Sequence, residues 1–345
     1  MGPGSGTTNL ARPVHCRDTF KVYSCTLIPT PPTSDAATRV AVIDIGTNST
    51  RLLVADVIGT RVEEVDRRTN VTRLGRGVDH SGRLSADAIE AVCQTVAGYV
   101  EAIAELGTVK TSVIATSAVR DAVNGGAFVA ELRERFDLTA EIFAGDLEAQ
   151  TTYLGTTAGR SGDEVLLVAD IGGGSTEMII GRGKQAIFHR SLQAGVVRHT
   201  ERMLASDPPA ASELERLAND LSKLISSALK DEDLPAIEHG VAVAGTPASL
   251  VAIDLGLEPY DAEAVEGHVL TLATIQHWLS KLAAMPLAAR RQVVGLHPDR
   301  AEAIVAGLVI LIEIMRTFEL TEIEVSEHDI LYGGAIRIAR DGSAA

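Results

Sequence analysis

Val168-Ala169-Asp170-Ile171-Gly172-Gly173-Gly174-Ser175-Thr176-Glu177 is the stretch from which the rest of the chain can be read. An apolar run ends in Asp170, turns through glycines and small hydroxyl residues, and re-enters an apolar run, which is the signature of a hairpin. The turn leaves backbone N–H groups that no strand partner uses, and glycine removes the Cβ atoms that would hold an anion away. The stretch has an earlier echo, Val42-Ile43-Asp44-Ile45-Gly46-Thr47-Asn48-Ser49-Thr50-Arg51. Asp44, Ile45, Gly46, Ser49 and Thr50 align with Asp170, Ile171, Gly172, Ser175 and Thr176 at one constant offset. Two such turns could grip one phosphate from opposite sides. The carboxylate that leads each turn could hold a divalent cation beside that phosphate, directly or through water.

At 345 residues the chain exceeds the size that one core usually serves, so two domains are expected, each carrying one turn. With 46% hydrophobic and 22% charged residues, the composition is that of an ordinary soluble globular protein. The formal net charge of −15 argues against a general nucleic-acid or anionic-membrane binder, because the long-range field has the wrong sign. A polyanionic substrate would have to be captured locally, by backbone N–H groups, a metal ion and a few arginines. Cys16, Cys25 and Cys93 match no zinc spacing and read as reduced thiols of a cytoplasmic protein, with Cys93 on the apolar face of a helix. The nine histidines form no pair at metal-ligand spacing. The most apolar stretch, Ile304 to Met315, is interrupted by Glu313 and falls short of the ~20 residues of a membrane-spanning helix.

Residues 1–38 lack any period and are expected to be a disordered tail. From Arg39 the pattern predicts a three-stranded meander, with Arg51 to Val57 returning from the first turn and Val62 to Leu74 following. Ser85 caps a helix ended by Gly107, and Val109 to Thr116 is a buried strand. Ser117, Arg120 and Asp121 are placed in a loop, then a short helix around Phe128 to Arg135, a strand at Ala140 to Phe143, and a helix opened by Asp146. The second half repeats the plan, with strands at Glu164 to Asp170, Thr176 to Gly181 and Gln185 to Leu192, a helix at Ser212 to Lys230, and a strand at Gly240 to Ala244. Thr246-Pro247 reads as an N-cap and first-turn proline. Helices follow at Thr271 to Ala284 and Asp299 to Phe318, then a strand at Glu322 to Val325 and a last helix past Tyr332. Strands alternating with helices in two similar halves predict an α/β fold of two lobes, 39–160 and 161–345, with a cleft between them and the turns facing across it. The last helix is allowed to pack back on the first lobe.

The residues resemble a known family, the exopolyphosphatase and guanosine pentaphosphate phosphohydrolase (Ppx/GppA) group of the actin-like ATPase superfamily. The matches run in order from Arg39 to Arg340: Asp44-Ile45-Gly46-Thr47-Asn48-Ser49 with Arg51-Leu52; Thr72-Arg73-Leu74-Gly75 with Gly77, Gly82 and Leu84-Ser85; Ala115-Thr116-Ser117-Ala118-Val119-Arg120-Asp121-Ala122 with Asn124-Gly125; Gly145 with Glu148-Ala149; and Asp170 to Glu177. Gly245-Thr246 and the stretch from Arg300-Ala301-Glu302 to Gly307 are similar to later family segments. The paired turns alone would leave sugar kinases, chaperone ATPases and actin-like filaments open. The segments Ala115 to Asn124 and Gly145 to Ala149 single out the phosphatase branch.

The resemblance implies two actin-like (ribonuclease H-like) lobes with the active site in the interdomain cleft, and it implies roles. Glu148 matches the family's catalytic glutamate, the general base; the plainer reading is an acid that favours its own helix N-terminus. Leu147 stands where the family commonly has a second acid, which leaves an auxiliary acid unassigned. Asp170 is the expected magnesium-associated carboxylate, with Glu177 and Asp44 in support; turn capping or a solvent-facing strand is the alternative. Arg120 is the expected phosphate clamp, against a local salt bridge with Asp121. Asn48, Ser49, Thr116, Ser117, Gly172, Gly173, Gly174 and Ser175 would form the phosphate cradle. Arg67, Arg68, Arg73, Arg76 and Arg83 read either as a solvated face or as a path for successive phosphates, and Arg290, Arg291 and Arg300 offer a second path.

The implied activity is magnesium-dependent removal of terminal orthophosphate from inorganic polyphosphate by in-line attack of water. Guanosine pentaphosphate is the alternative substrate. From another class, the chain could be an actin-like sensor that binds ATP without hydrolysing it. The longer members' extra C-terminal helical region has no counterpart here, which implies a preference for short polyphosphate. A homodimer is expected from the family.

Overall fold

The computed structural model describes Met1 and residues 36–340, so most of the tail expected over residues 1–38, with Cys16 and Cys25, lies outside the described residues. The first sheet is built from β1 (Thr38–Ile45), β2 (Ser49–Ile58), β3 (Arg61–Val71), β4 (Lys110–Ala115) and β5 (Ala140–Ile142), in the order β3-β2-β1-β4-β5. The second uses β6 (Val165–Ile171), β7 (Thr176–Arg182), β8 (Gln185–Leu192), β9 (His239–Val243), β10 (Val269–Thr271) and β11 (Glu322–Ser326), in the order β10-β11-β9-β6-β7-β8. The plans coincide where the echo lies. β1 runs antiparallel to β2 and parallel to β4, and β6 runs antiparallel to β7 and parallel to β9. β1 and β6 are near-continuous apolar runs because each lies inside its sheet with both faces covered.

The helix Gly145–Thr157 lies between the two sheets. Leu147, Leu154 and Ala158 pack with Val40, Val42 and Leu53, while Ala149 and Tyr153 pack with Val168, Ile179 and Val241. Asp146 and Gln150 reach solvent at the start of the helix, but from Thr151 to Thr157 only Leu154 is not fully buried, and that stretch is rich in Thr. Three of the helix's threonines satisfy their hydroxyls on the preceding turn: Thr151 donates to Leu147 O at 2.7 Å, Thr156 to Thr152 O at 3.0 Å, and Thr157 to Tyr153 O at 2.7 Å. Thr152 donates instead to Asp170 Oδ2 at 3.3 Å.

The last helix, Ile330–Arg340, returns to the first sheet and packs Leu331, Ala335 and Ile336 on Val40, Val42 and Ile114. It also crosses Gly145–Thr157 at backbone contact. A Cβ at Gly155 would meet Asp329 O at 2.0 Å, and one at Gly333 would meet Thr151 O at 1.8 Å. Neither neighbour is a flexible side chain, so Gly333→Ala is expected to destabilise the protein by about 3 kcal/mol. The check is a lower denaturant midpoint at unchanged slope.

Several expectations need correction. Ser117–Asp121 is a short helix rather than a loop: Val119 N and Arg120 N donate to Thr116 O, and Ser117, Ala118 and Val119 are buried. Five residues are too few to show a helical period. Val196–Met203 is a helix that the polar run Arg198-His199-Thr200-Glu201-Arg202 concealed; tertiary bonds start it, from Val196 N to Gly172 O and Val197 N to Gly173 O. Thr246 does not cap the helix Gly245–Leu255 but lies inside it, buried, and Ala244 at φ 75° turns the chain into that helix. The expected helix from Asp299 to Phe318 is a 3-10 turn, Pro298–Arg300, followed by Ile304–Thr317. β10 was not anticipated. Cys93 is buried and free, as its helical face requires. No helix among the described residues is long and apolar enough to cross a membrane.

Candidate active site

The two glycine turns meet. A Cβ on Gly173 would lie 2.9 Å from Thr47 Cβ and 3.0 Å from Asn48 N, and one on Gly174 would lie 2.7 Å from Ser117 Oγ. Only glycine allows this approach. Around the contact is a pocket of about 110 Å³ lined by Asp44, Asn48, Ser49, Thr116, Ser117, Glu148, Asp170, Gly172, Gly173, Ser175 and Glu177. Every sequence-predicted site residue is in that lining except Arg120 and Gly174, which lie behind it.

The turns differ at one ladder position, and the difference separates their chemistry. Asp44 pairs across the strand ladder with Arg51, whereas Asp170 pairs with Glu177. Arg51 donates from Nε and Nη2 to Asp44 Oδ2, at 3.0 and 2.7 Å, and its Nη1 reaches Asp329. Burial pushes the Asp44 carboxyl up, and Arg51 opposes that shift. Burial also acts to raise Asp329, but Arg51 and Arg67 outweigh it and hold this carboxyl below the usual range. Among the described residues, no arginine forms an ion pair with the aspartate of the second turn. Burial, with Asp329 next, pushes Asp170 up to about 7. Burial, then Glu148 and Asp170, pushes Glu177 well above its ordinary value.

These carboxylates suit a cation. Asp44 Oδ1 is buried without a hydrogen-bond partner, and Asp170 and Glu177 sit in the same pocket as mutually repelling acids. Among the described residues no three His, Cys, Asp or Glu side chains form a complete protein cage. A cation here would draw its remaining ligands from water and substrate oxygens, which is how magnesium is usually held.

Glu148 sits in the first turn of Gly145–Thr157, with its side chain 8% exposed. Arg120 Nη1 donates to Glu148 Oε2 at 2.9 Å and to Phe143 O at 2.7 Å. The guanidinium is thus engaged with the glutamate and a carbonyl. Burial lifts the Glu148 carboxyl to about 7 against the pull of Arg120.

Thr47, whose lone hydroxyl carries too weak a sequence signal to be chosen, and Arg300, expected on the second phosphate path, also line the pocket. Thr47 Oγ1 meets Ser117 Oγ at 2.8 Å, tying the first turn to Ser117–Asp121. Arg300 is partly buried and donates from Nη1 to Gly245 O at 2.9 Å and Ser249 Oγ at 3.1 Å, with no carboxylate in ion-pair range among the described residues. Burial holds its pKa below the ordinary arginine value. It stands between the small pocket and a second cavity of about 810 Å³ lined by Arg67, Tyr260, Arg291, Leu296 and Glu327. Arg290, expected on a phosphate path, is instead buried, bonding Ala301 O at 3.2 Å and Asp207 Oδ1 at 3.1 Å. The basic run of the first half is also divided, with Arg67 on Glu327, Arg68 on Asp66 and Arg73 on Asp299.

Residues 53–334 match the Ppx/GppA phosphatase family. The chain belongs to that family. It is 34% identical over 319 residues to exopolyphosphatase 2 of Mycobacterium tuberculosis, covering 88% of this chain and 99% of that one. The crystal structure of the Aquifex aeolicus Ppx/GppA member matches with 29% identity and a TM-score of 0.76, over 90% of this chain and 100% of that chain. An exopolyphosphatase from Cytophaga hutchinsonii, 22% identical, matches with a TM-score of 0.81 over 88% and 98% of the two chains, and speaks to the fold alone. The two mixed sheets with their helices are the α/β fold of a Ppx/GppA phosphatase. Members of this family are typically metal-dependent.

Proposed function

We propose that this Ppx/GppA phosphatase is an exopolyphosphatase that releases terminal orthophosphate from inorganic polyphosphate. One observation carries the reading: a buried, arginine-held glutamate lies in the wall of a pocket made by two phosphate-sized glycine turns. Asn48, Ser49, Thr116, Ser117, Gly172, Gly173, Gly174 and Ser175 hold the terminal phosphoryl group with N–H and hydroxyl donors. Glu148 accepts a proton from water as the water oxygen attacks phosphorus in line. The P–O bond to the bridging oxygen breaks, leaving orthophosphate and a polyphosphate one unit shorter. Arg120, expected to clamp phosphate, is assigned to holding Glu148, and Arg300 is assigned to the incoming anion. Asp170 and Glu177, with Asp44 in support, would hold magnesium, which when bound neutralises charge on the phosphate oxygens.

The larger cavity beyond Arg300 is assigned to the remaining chain. Its apolar wall, Leu257, Val293 and Leu296 with Tyr260, supports guanosine pentaphosphate as the second reading, because a nucleoside would fill it. The lobe limits 39–160 and 161–345, with the last helix counted with the first lobe, and a homodimer in solution complete the proposal. The test is phosphate release from short polyphosphate, long polyphosphate, guanosine pentaphosphate and ATP, with and without magnesium. Exclusive turnover of guanosine pentaphosphate, or tight ATP binding with no release from any substrate, would overturn the primary reading.

A pH profile follows from the same assignment. Glu148 must be ionised to accept a proton, and burial holds its pKa at about 7 against the pull of Arg120. Below that value kcat/KM is expected to fall by about tenfold per pH unit. Activity unchanged down to pH 5 would contradict the role.

A further inference from the structure

Starting from Glu148 in the pocket wall, charged side chains form an alternating row: Glu148, Arg120, Asp121, Arg198, Asp79, Arg202. Arg120 Nη1 is 2.9 Å from Glu148 Oε2, and its Nε is 4.0 Å from Asp121 Oδ1. Arg198 Nη2 donates to Asp121 Oδ2 at 2.9 Å, and Nη1 donates to Asp79. Arg202 Nη2 closes the row on Asp79 Oδ1 at 2.6 Å. Both of these arginines stand on Val196–Met203, beside the second sheet, while the other four residues belong with the first. The row therefore crosses between the lobes. The Gly77 backbone N–H donates to the Glu201 carboxylate at 3.2 Å and ties the same two segments.

Arg198 makes one more contact. Its Nε donates to Gly174 O at 2.8 Å, directly behind the second glycine turn. Its side chain is only 13% exposed, so solvent screens these pairs weakly. One planar guanidinium thus holds the turn with one nitrogen and the opposite lobe with the other two, a fork that a lysine ammonium cannot reproduce.

We propose that Arg198 is a positioning residue: it fixes the second phosphate turn against the segment carrying Arg120, so that the phosphorus and the Glu148 carboxylate keep one register. The proposal rests on the reading of Glu148 as general base. A misplacement of an ångström at a reacting centre costs about a hundredfold in rate. Phosphate affinity, shared among both turns and Arg300, should change far less. Loss of Arg198 is therefore a kcat effect.

The experiment measures kcat and KM on short polyphosphate for the wild type, Arg198→Lys, Arg198→Met, Asp121→Asn and the Arg198→Met/Asp121→Asn double variant, with a thermal midpoint for each. Arg198→Met is expected to lose kcat by about 30- to 100-fold with KM within about threefold. Arg198→Lys should recover part of that loss, since an ammonium can reach one acid at a time. Asp121→Asn should lose about tenfold, and the double variant should be no worse than Arg198→Met, because both remove one shared interaction. Near-normal kcat, a rise in KM at unchanged kcat, or losses that multiply would overturn the proposal. If Arg198→Met does not fold, near-normal kcat in Arg198→Lys and Asp121→Asn does the same. An inactive wild type overturns the hydrolase reading and with it this one, whereas an active wild type with unaffected variants overturns this one alone.

Discussion

Glu148→Gln is expected to lower kcat for orthophosphate release by about a thousandfold while leaving KM nearly unchanged. Gln keeps the shape of the side chain and an oxygen to accept from Arg120, but it cannot take a proton from water. The same substitution carries a stability signature of the opposite sign. Glu148 has a folded pKa of about 7, above its unfolded value, so its favourable contribution is present in acid and is lost as pH rises through about 7. Gln mimics the protonated form at every pH. The variant should therefore match the parent in thermal stability near pH 4.5 and exceed it at pH 8. Phosphate release, with differential scanning fluorimetry at the two pH values, checks both halves; a variant that is inactive because it is unfolded would fail the second.

Arg51→Ala is expected to destabilise the protein by about 3–5 kcal/mol, the usual cost of removing one partner from a buried ion pair. Arg51 answers two buried carboxylates, Asp44 and Asp329, from opposite ends of the chain. Without it Asp44, which already has one unpartnered oxygen, loses the bonds on the other as well. Asp329 keeps its bond from Leu331 N at 3.0 Å, at the start of the helix that covers the first sheet. The loss should be largest at neutral pH and smaller in acid, where the carboxyls can protonate. A denaturant midpoint at pH 7 equal to the parent's would show that the pair is not a stabilising element.

Much of the fold was legible because its defining feature is local. An apolar run, a glycine turn and a second apolar run specify a hairpin within about ten residues, so Asp44 and Asp170 could be placed at strand ends by reading alone. Gly145–Thr157 shows the limit. Its existence could be read, but its burial between two sheets could not, since that depends on Gly155 meeting Gly333 and on the last helix returning to the first sheet. The basic run failed for a related reason. Strand alternation sends Arg67 and Arg68 to different neighbours, and the acids that receive Arg67 and Arg73, Glu327 and Asp299, are remote in sequence.

By itself, then, the sequence determined the paired turns, the α/β alternation around them and the segment that carries Glu148. Only the tertiary structure decided which charges answer which. The turns are echoes, yet one sets Arg51 opposite its aspartate and the other sets Glu177, so the first aspartate faces a guanidinium and the second faces another carboxylate. Arg51 finds Asp329 across 278 residues, and Arg120 finds Glu148 only where two elements cross. Electrostatic energy depends on a few ångströms of separation and on exclusion of water, and neither distance nor burial between remote residues is written in residue order.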